Sequence, residues 1–455
     1  MIVKIKNYEL FKHSPPESDP SPGLYHYNNI PGFPQVIVHL RIENPENSTL
    51  IINGNTVLHL NSTATRMVYY YLNPMSEEEA LKKLSRNFRI KYTVLKQDYQ
   101  QFISSIESVL SNGYACFCDF QDLNPEYPFQ NIPIAPYRMD LALTYLCNNH
   151  CYHCYNDPDR SFSPLNISQW KEVLDKMVEI GIPHIVFTGG EPTLYPGLEE
   201  LISYATDKGL ITGLNTNGRR LNDNSFVQRL IDSGLDHVQI TLESFHSDIH
   251  NRIVQNQSAW QETIAGLKNA LAKNLFVMTN TTLLRDNTPT LMDTLEYLAE
   301  LGVPTVGINA LIYSGRGKRV ENALSDDEVS PILKMAQDYV RGSGQKLIWY
   351  TPTAYCHFDP MSLNLGIKGC TAAFYNMCIE PNGSVIPCQS YYISVGNILM
   401  DDWNKIWNHP LCNSLRSRSY MNDECKSCIL QKECGGGCPL SPIQADRQLV
   451  YRMLT

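Results

Sequence analysis

From residue 35 onward the chain alternates apolar and polar positions as a half-buried strand does. Residues 35–42 and 49–61 both follow a period of two, and Asn53-Gly54 inside the second stretch is a tight hairpin signal. The period then lengthens to that of helices over residues 63–72, 76–87 and 95–111. Ser76 followed by Glu79 predicts a capping box at the start of the second helix. Residues 1–34, rich in Pro, Ser, Asn and Tyr, predict an irregular arm. Residues 119–136 hold four prolines and predict a stiff linker.

A different rhythm begins at residue 137. Strand-like runs at 139–144, 185–188, 212–215, 237–242, 276–282 and 305–310 alternate with helical runs at 168–180, 197–208, 225–233, 260–273 and 288–301. Six such units predict an α/β fold with parallel strands and right-handed crossovers, a partial (β/α)6 TIM-type barrel over residues 137–320. Fewer than eight units leaves the barrel open on one side, wide enough for a large substrate. Active sites of such barrels lie at the carboxyl ends of the strands. Residues 321–369 read as a connecting segment and residues 370–455 as a cysteine-rich domain.

Composition narrows the class. Apolar residues make up 43% and charged residues 18% of the 455, normal for a globular protein. The net charge of −9 disfavours nucleic acid and membrane surfaces as partners. No apolar run is long enough to span a bilayer, and the amino terminus lacks a signal-peptide core, so a reducing cytoplasm is the expected location. In that setting 14 cysteines crowded into clusters read as metal sites rather than disulfides.

The first cluster follows the first barrel strand. Cys147, Cys151 and Cys154 form a C-x3-C-x2-C run that can wrap one corner of a [4Fe–4S] cube. No fourth cysteine is nearby, which leaves one iron open for a non-protein ligand. The competing reading is a zinc knuckle with a distant fourth ligand. With His153 before the third thiol, the run resembles the signature of radical S-adenosylmethionine (SAM) enzymes. The resemblance implies that SAM chelates the open iron and is cleaved to a 5′-deoxyadenosyl radical, which abstracts hydrogen from substrate. Gly189-Gly190-Glu191-Pro192, one strand later, is similar to the family motif that holds the SAM amino group. By the same resemblance, Asn215, Asn217, Glu243 and Ser244 are candidates for the ribose hydroxyls and methionine carboxylate. Arg252 is a candidate cation for that carboxylate, a surface ion pair being its alternative. Asn280 and Thr282, with Asn309, are candidates to line the cavity, and Gly315-Arg316-Gly317 is a weak candidate for adenine or substrate.

The carboxyl-terminal cysteines resemble the SPASM extension of radical SAM enzymes, which usually holds two auxiliary [4Fe–4S] clusters. The family pattern implies Cys370, Cys378, Cys388 and Cys438 for the first cluster and Cys425, Cys428 and Cys434 for the second; a zinc ribbon is the alternative. The family's last cysteine is absent here. Asp446 or Cys412 is a candidate substitute, or the iron stays open. Cys356 is a candidate ligand or hydrogen donor, and Tyr355, His357 and Asp359 are candidate general bases. The default for isolated cysteines such as Cys116 and Cys118 is a place in the core.

The hairpin and three helices of residues 35–118 look like the winged-helix-like RiPP recognition element, similar to the peptide chaperone of pyrroloquinoline quinone biosynthesis. Together these resemblances imply a maturase of a ribosomally made precursor peptide, which closes a thioether or carbon–carbon crosslink. Its leader would add as a strand to the hairpin edge, and a flavodoxin or ferredoxin would supply electrons. The rivals are a radical SAM/SPASM enzyme acting on a small molecule such as a haem precursor, one acting on a protein side chain as in sulfatase maturation, and a redox-sensing binding module.

Overall fold

The computed structural model describes residues 2–3, 20–44, 47–112, 123–124, 129, 131–156, 159–273, 275–321 and 323–441. It divides into two compact units, one of residues 1–130 with the short stretches 177–183 and 209–211, the other of the remaining residues.

In the first unit, strands β1 (Ile2–Val3), β2 (Gly23–Tyr27), β3 (Val38–Asn44), β4 (Asn47–Ile52), β5 (Thr56–Asn61) and β6 (Leu123–Asn124) form one sheet in the order β2-β3-β4-β5-β1-β6. β3, β4 and β5 are the expected antiparallel strands, turning at Asn53-Gly54 with both residues at positive φ. β2 corrects the irregular arm. It pairs antiparallel with β3, Tyr25 opposite Leu40, and the Tyr25 ring meets Tyr69 edge-on at 5.3 Å. A five-residue strand flanked by Pro22 and Pro31 carries too short an alternation to stand out. Helices α1 (Ser62–Leu72), α2 (Glu77–Asn87) and α3 (Tyr92–Asn112) follow, within a few residues of expectation. Asn61 caps α1 and the Ser76–Glu79 box caps α2. Leu40, Leu50 and Leu58 of the sheet pack with Met67, Leu84 and Ile106 of the helices in one core.

The second unit opens with β7 (Arg138–Thr144), which leads through the cysteine loop to α4 (Ile167–Ile180). Then come β8 (His184–Gly189), α5 (Leu198–Asp207), β9 (Ile211–Thr216), α6 (Asn224–Asp232), β10 (His237–Thr241), α7 (Ser247–Val254), α8 (Ala259–Leu271), β11 (Phe276–Thr282), α9 (Leu291–Glu300) and β12 (Thr305–Asn309). All six expected strands are present. The segment 321–369 is more than a connection: α10 (Asp326–Ser343) and β13 (Lys346–Trp349) add a seventh parallel strand beside β12. On the other side, β14 (Asn376–Ile379) pairs parallel with β7 and continues antiparallel into β15 (Ser384–Ile386) and β16 (Gly396–Asn397). Among the described residues the sheet runs β13-β12-β11-β10-β9-β8-β7-β14-β15-β16, with β13 and β16 as its end strands. β13 is short and follows a long polar-faced helix, which hid it from the periodicity. Two short helices, α11 (Trp403–Trp407) and α12 (Pro410–Arg416), precede the last cysteines. Among the described residues no helix is long and apolar enough to cross a membrane.

Candidate active site

The chain leaves β7 at Thr144 and places Cys147, Cys151 and Cys154 on the loop beyond the strand's carboxyl end. Two glycines at the end of β8 lie against this loop. A Cβ on Gly189 would come within 2.2 Å of the Thr144 carbonyl, and one on Gly190 within 2.4 Å of that of Leu146, so only glycine fits. In return the Gly190 N–H donates to Thr144 O at 2.7 Å and the Glu191 N–H to Leu146 O at 2.8 Å. Arg219, after β9, donates to the Asn148 carbonyl and to Asn149 Oδ1 at 3.0 Å, while Glu262 holds its Nε at 2.5 Å. Asn217 Nδ2 donates to Asn148 Oδ1 at 2.6 Å. After β12, Arg316 donates to the carbonyls of His150 and Cys151 at 3.0 and 3.4 Å, and the Gly317 N–H to that of Cys154 at 3.1 Å. The loop is thus moored to the ends of three other strands.

All three thiols are free. Burial raises Cys147 to about 11 and Cys151 well above the ordinary thiol value, and neighbouring thiols push both further. Burial likewise raises Cys154. Desolvated sulfurs that would repel one another as thiolates call for a cation among them, and an iron–sulfur cluster supplies it. The Asn149 N–H already points at Cys147 Sγ at 3.4 Å, a contact that favours thiolate. The donor set fits the cluster.

Several of the candidate cofactor contacts also bond within the protein. The Glu191 carboxylate takes hydrogen bonds from the Thr193 N–H and hydroxyl (3.1 and 2.6 Å), the Thr216 hydroxyl (2.7 Å) and the Asn217 N–H (2.8 Å). With these donors it anchors the short turn that Pro192 opens, three of them on Oε1 and one on Oε2. Glu243 pairs with His153 Nε2 at 3.1 Å and accepts from the Thr282 N–H at 3.0 Å, and its own N–H donates to His250 Nδ1 at 3.2 Å. Burial lowers His250 to about 4, which keeps its ring neutral as acceptor. Ser244 shares a hydrogen bond with Thr290 and accepts from the His246 N–H. Arg252 is 55% exposed and lies 3.9 Å from Asp286, which is the surface-pair alternative. Asn309 bonds within its own neighbourhood, to Thr282 and Ala310. The glycines of the 315–317 run fasten the cysteine loop.

Asn215 and Asn280 lie on the central strands. The register sets Gln239 between Asn215 and Met278, and Thr241 beside Asn280. Alternate residues of β10 and β11 are half-buried where their neighbours are buried, so these side chains share the accessible inner face. The buried Asn280 Oδ1 has no hydrogen-bond partner, a group aimed where a ligand can satisfy it. Sequence reading missed Gln239, whose only signal was its place in the strand alternation. It also missed Arg219 and Arg160, whose partners are distant in the chain.

The carboxyl-terminal thiols fall in two neighbourhoods. Burial raises Cys370 strongly, and nearby Cys438 and Cys388 raise it further. Cys378 is buried on β14 between Ala142 and Ile386 and also feels Cys388. Cys434 and Cys428 add to the burial that raises Cys425. Cys412 sits in α12, raised to about 11 by burial and with Arg416 as its charged neighbour rather than a thiol. Asp446, Cys116 and Cys118 lie outside the described residues. The candidate bases have structural tasks: Tyr355 accepts from the Lys368 N–H at 3.0 Å, His357 faces Asp327 at 3.7 Å, and Asp359 caps a short turn through the Met361 N–H at 2.9 Å. This domain is tied to the barrel by Glu380, fully buried. Arg160 clamps both its oxygens at 2.8 and 2.5 Å, and Tyr145 donates to one at 2.8 Å.

Comparison with known proteins agrees with this geometry. Residues 141–298 match the radical SAM superfamily, and residues 370–429 match the iron–sulfur cluster-binding SPASM domain. The PqqA peptide cyclase of Bradyrhizobium diazoefficiens is 29% identical over 322 residues, 68% of this chain and 81% of that protein. The AdoMet-dependent heme synthase of Methanosarcina barkeri is 25% identical over 324 residues, 66% of this chain and 91% of that protein. Among solved structures, Streptococcus suis SuiB bound to precursor peptide SuiA shares the fold with a TM-score of 0.64 at 17% identity, covering 88% of this chain and 94% of that one. The chain is an enzyme with a radical SAM domain followed by an iron–sulfur cluster-binding SPASM domain.

Proposed function

We propose that this enzyme matures a ribosomally made precursor peptide, closing a thioether or carbon–carbon crosslink within it. The observation that carries this reading is the extent of the fold match to SuiB. A match over 88% of the chain reaches well into the first 130 residues, a part that radical SAM chemistry alone does not need. The curated PqqA peptide cyclase relative supports a peptide substrate as well.

The first unit serves as the leader-binding domain, in the manner of a RiPP recognition element. Its β3 edge is covered by β2, so the hairpin edge expected to receive the leader is taken on that side. On its other side β5 is met by β1, at His59 and Leu60.

When bound, the cluster of Cys147, Cys151 and Cys154 with SAM supplies a 5′-deoxyadenosyl radical, and two auxiliary [4Fe–4S] clusters on the carboxyl-terminal thiols supply an electron acceptor. The chain's own part is positional. Arg219, Arg316 and Gly190 hold the cysteine loop, and Asn215, Gln239 and Asn280 present hydrogen-bonding groups on the inner face. Its electron donor is a flavodoxin or ferredoxin, and its setting the cytoplasm.

A second reading, action on a haem-type precursor, draws on the heme synthase relative, whose match covers 66% of the chain. One experiment separates the two. Anaerobic holoenzyme is incubated with SAM and dithionite, in one arm with candidate precursor peptides from short reading frames beside its gene and in another with a haem-precursor tetrapyrrole. Loss of two hydrogens from a full peptide, with none from its leaderless version, is the expected result. Unchanged peptides with a consumed tetrapyrrole would sink the maturase reading.

A further inference from the structure

Residues 439–455 hold no cysteine, and Cys425, Cys428 and Cys434 supply three thiols. The structure brings a different part of the chain to them. The loop after β13 lies against Cys434: the Tyr355 N–H points at Cys434 Sγ at 3.3 Å, and that thiol in turn donates to the Thr353 carbonyl at 3.6 Å. A Cβ on Gly437, at φ +77°, would meet the Ala354 nitrogen at 3.1 Å, so the two backbones are packed close. Cys356 is the next residue on this loop and its thiol is exposed, as are Cys428 and, in part, Cys425 and Cys434.

We propose that Cys356 is the fourth protein ligand of the second auxiliary cluster, completing the set of Cys425, Cys428 and Cys434 from upstream in the chain. The inference rests on the reading that this second cluster exists. The rival Cys412 is buried in its helix. A backbone N–H aimed at sulfur, from Tyr355 to Cys434, is what a thiolate of a cluster accepts. With four cysteines the cluster has no open iron. Its exposed thiols then suit it to passing electrons to and from a partner rather than to binding substrate.

The test is differential alkylation of the anaerobic holoenzyme by iodoacetamide, before and after iron chelation, mapped by mass spectrometry. Cys356 should react at least about tenfold more slowly in the holoenzyme than after chelation, in step with Cys425, Cys428 and Cys434, as metal-held thiolates do. Rapid labelling of Cys356 in holoenzyme whose other three thiols are protected would overturn the proposal and leave the cluster standing. Rapid labelling of all four would overturn the cluster, and with it the proposal. Cys356→Ser provides a second measurement. Iron content should be kept and the electron paramagnetic resonance signal of one reduced auxiliary cluster displaced, while Asp446→Ala leaves both unchanged. The reverse pattern would assign the ligand to Asp446.

Discussion

The loop of Cys147, Cys151 and Cys154 is held by groups far away in the chain: Gly190, Arg219, Arg316 and Gly317 reach it from the ends of three other strands. The segment of Cys425, Cys428 and Cys434 is held mostly by itself. Asn422 caps the turn at Cys425, Arg418 donates to the carbonyls of Gln431 and Lys432, and Tyr420 to that of Gly435. The three consecutive glycines 435–437 all sit at positive φ, a backbone few other residues accept. A scaffolded loop keeps its shape whether or not a cofactor is bound. A self-held segment of short turns gains much of its order from the metal. That contrast suits the proposed function, in which the first loop would aim a radical and the second segment would hold a cluster.

The contrast can be broken at several points. Gly190→Ala forces the Leu146 carbonyl aside, and 5′-deoxyadenosine formation should fall by about 100-fold, the cost of an ångström of misplacement, with auxiliary-cluster spectra intact. Equal loss of all clusters would refute the separation of the two regions. Arg160→Leu leaves the fully buried Glu380 uncompensated and should cost about 3 kcal/mol in anaerobic denaturation of the holoenzyme. Arg219→Leu should weaken iron retention at the first site by roughly 10–100-fold, read as iron per chain during dialysis against chelator. Iron chelation of the parent protein should speed hydrogen exchange at the amides of Cys428 and Ser441 on the order of tenfold, while those of Gly190 and Glu191 stay protected. Faster exchange at Gly190 first would invert the comparison. Asn61→Ala, which removes the cap of α1, should lower the stability of the first unit by about 1 kcal/mol and leave uncoupled SAM cleavage unchanged.

What was legible in the sequence was what neighbours in the chain decide. The hairpin at Asn53-Gly54, the Ser76–Glu79 box, the six barrel strands and the grouping of thiols on the 147–154 loop all rest on local spacing, and the structure has them. What was not legible was what arrives from elsewhere in the chain. Thr216 and Asn217 come from the next strand to donate to Glu191. Strand β2 was invisible because five residues between prolines carry little pattern without β3 beside them.

The order of residues by itself determined the strand–helix alternation, the caps and the three-thiol loop, because backbone geometry and short-range hydrogen bonds set those. Only the tertiary structure decided that Arg219 and Arg316 moor that loop, that Glu380 joins the cysteine-rich domain to the barrel, and that the loop of Cys356 lies on Cys434. Each of these contacts joins residues some 70 to more than 200 positions apart. Burial and charge pairing across such distances leave no periodic trace in the chain.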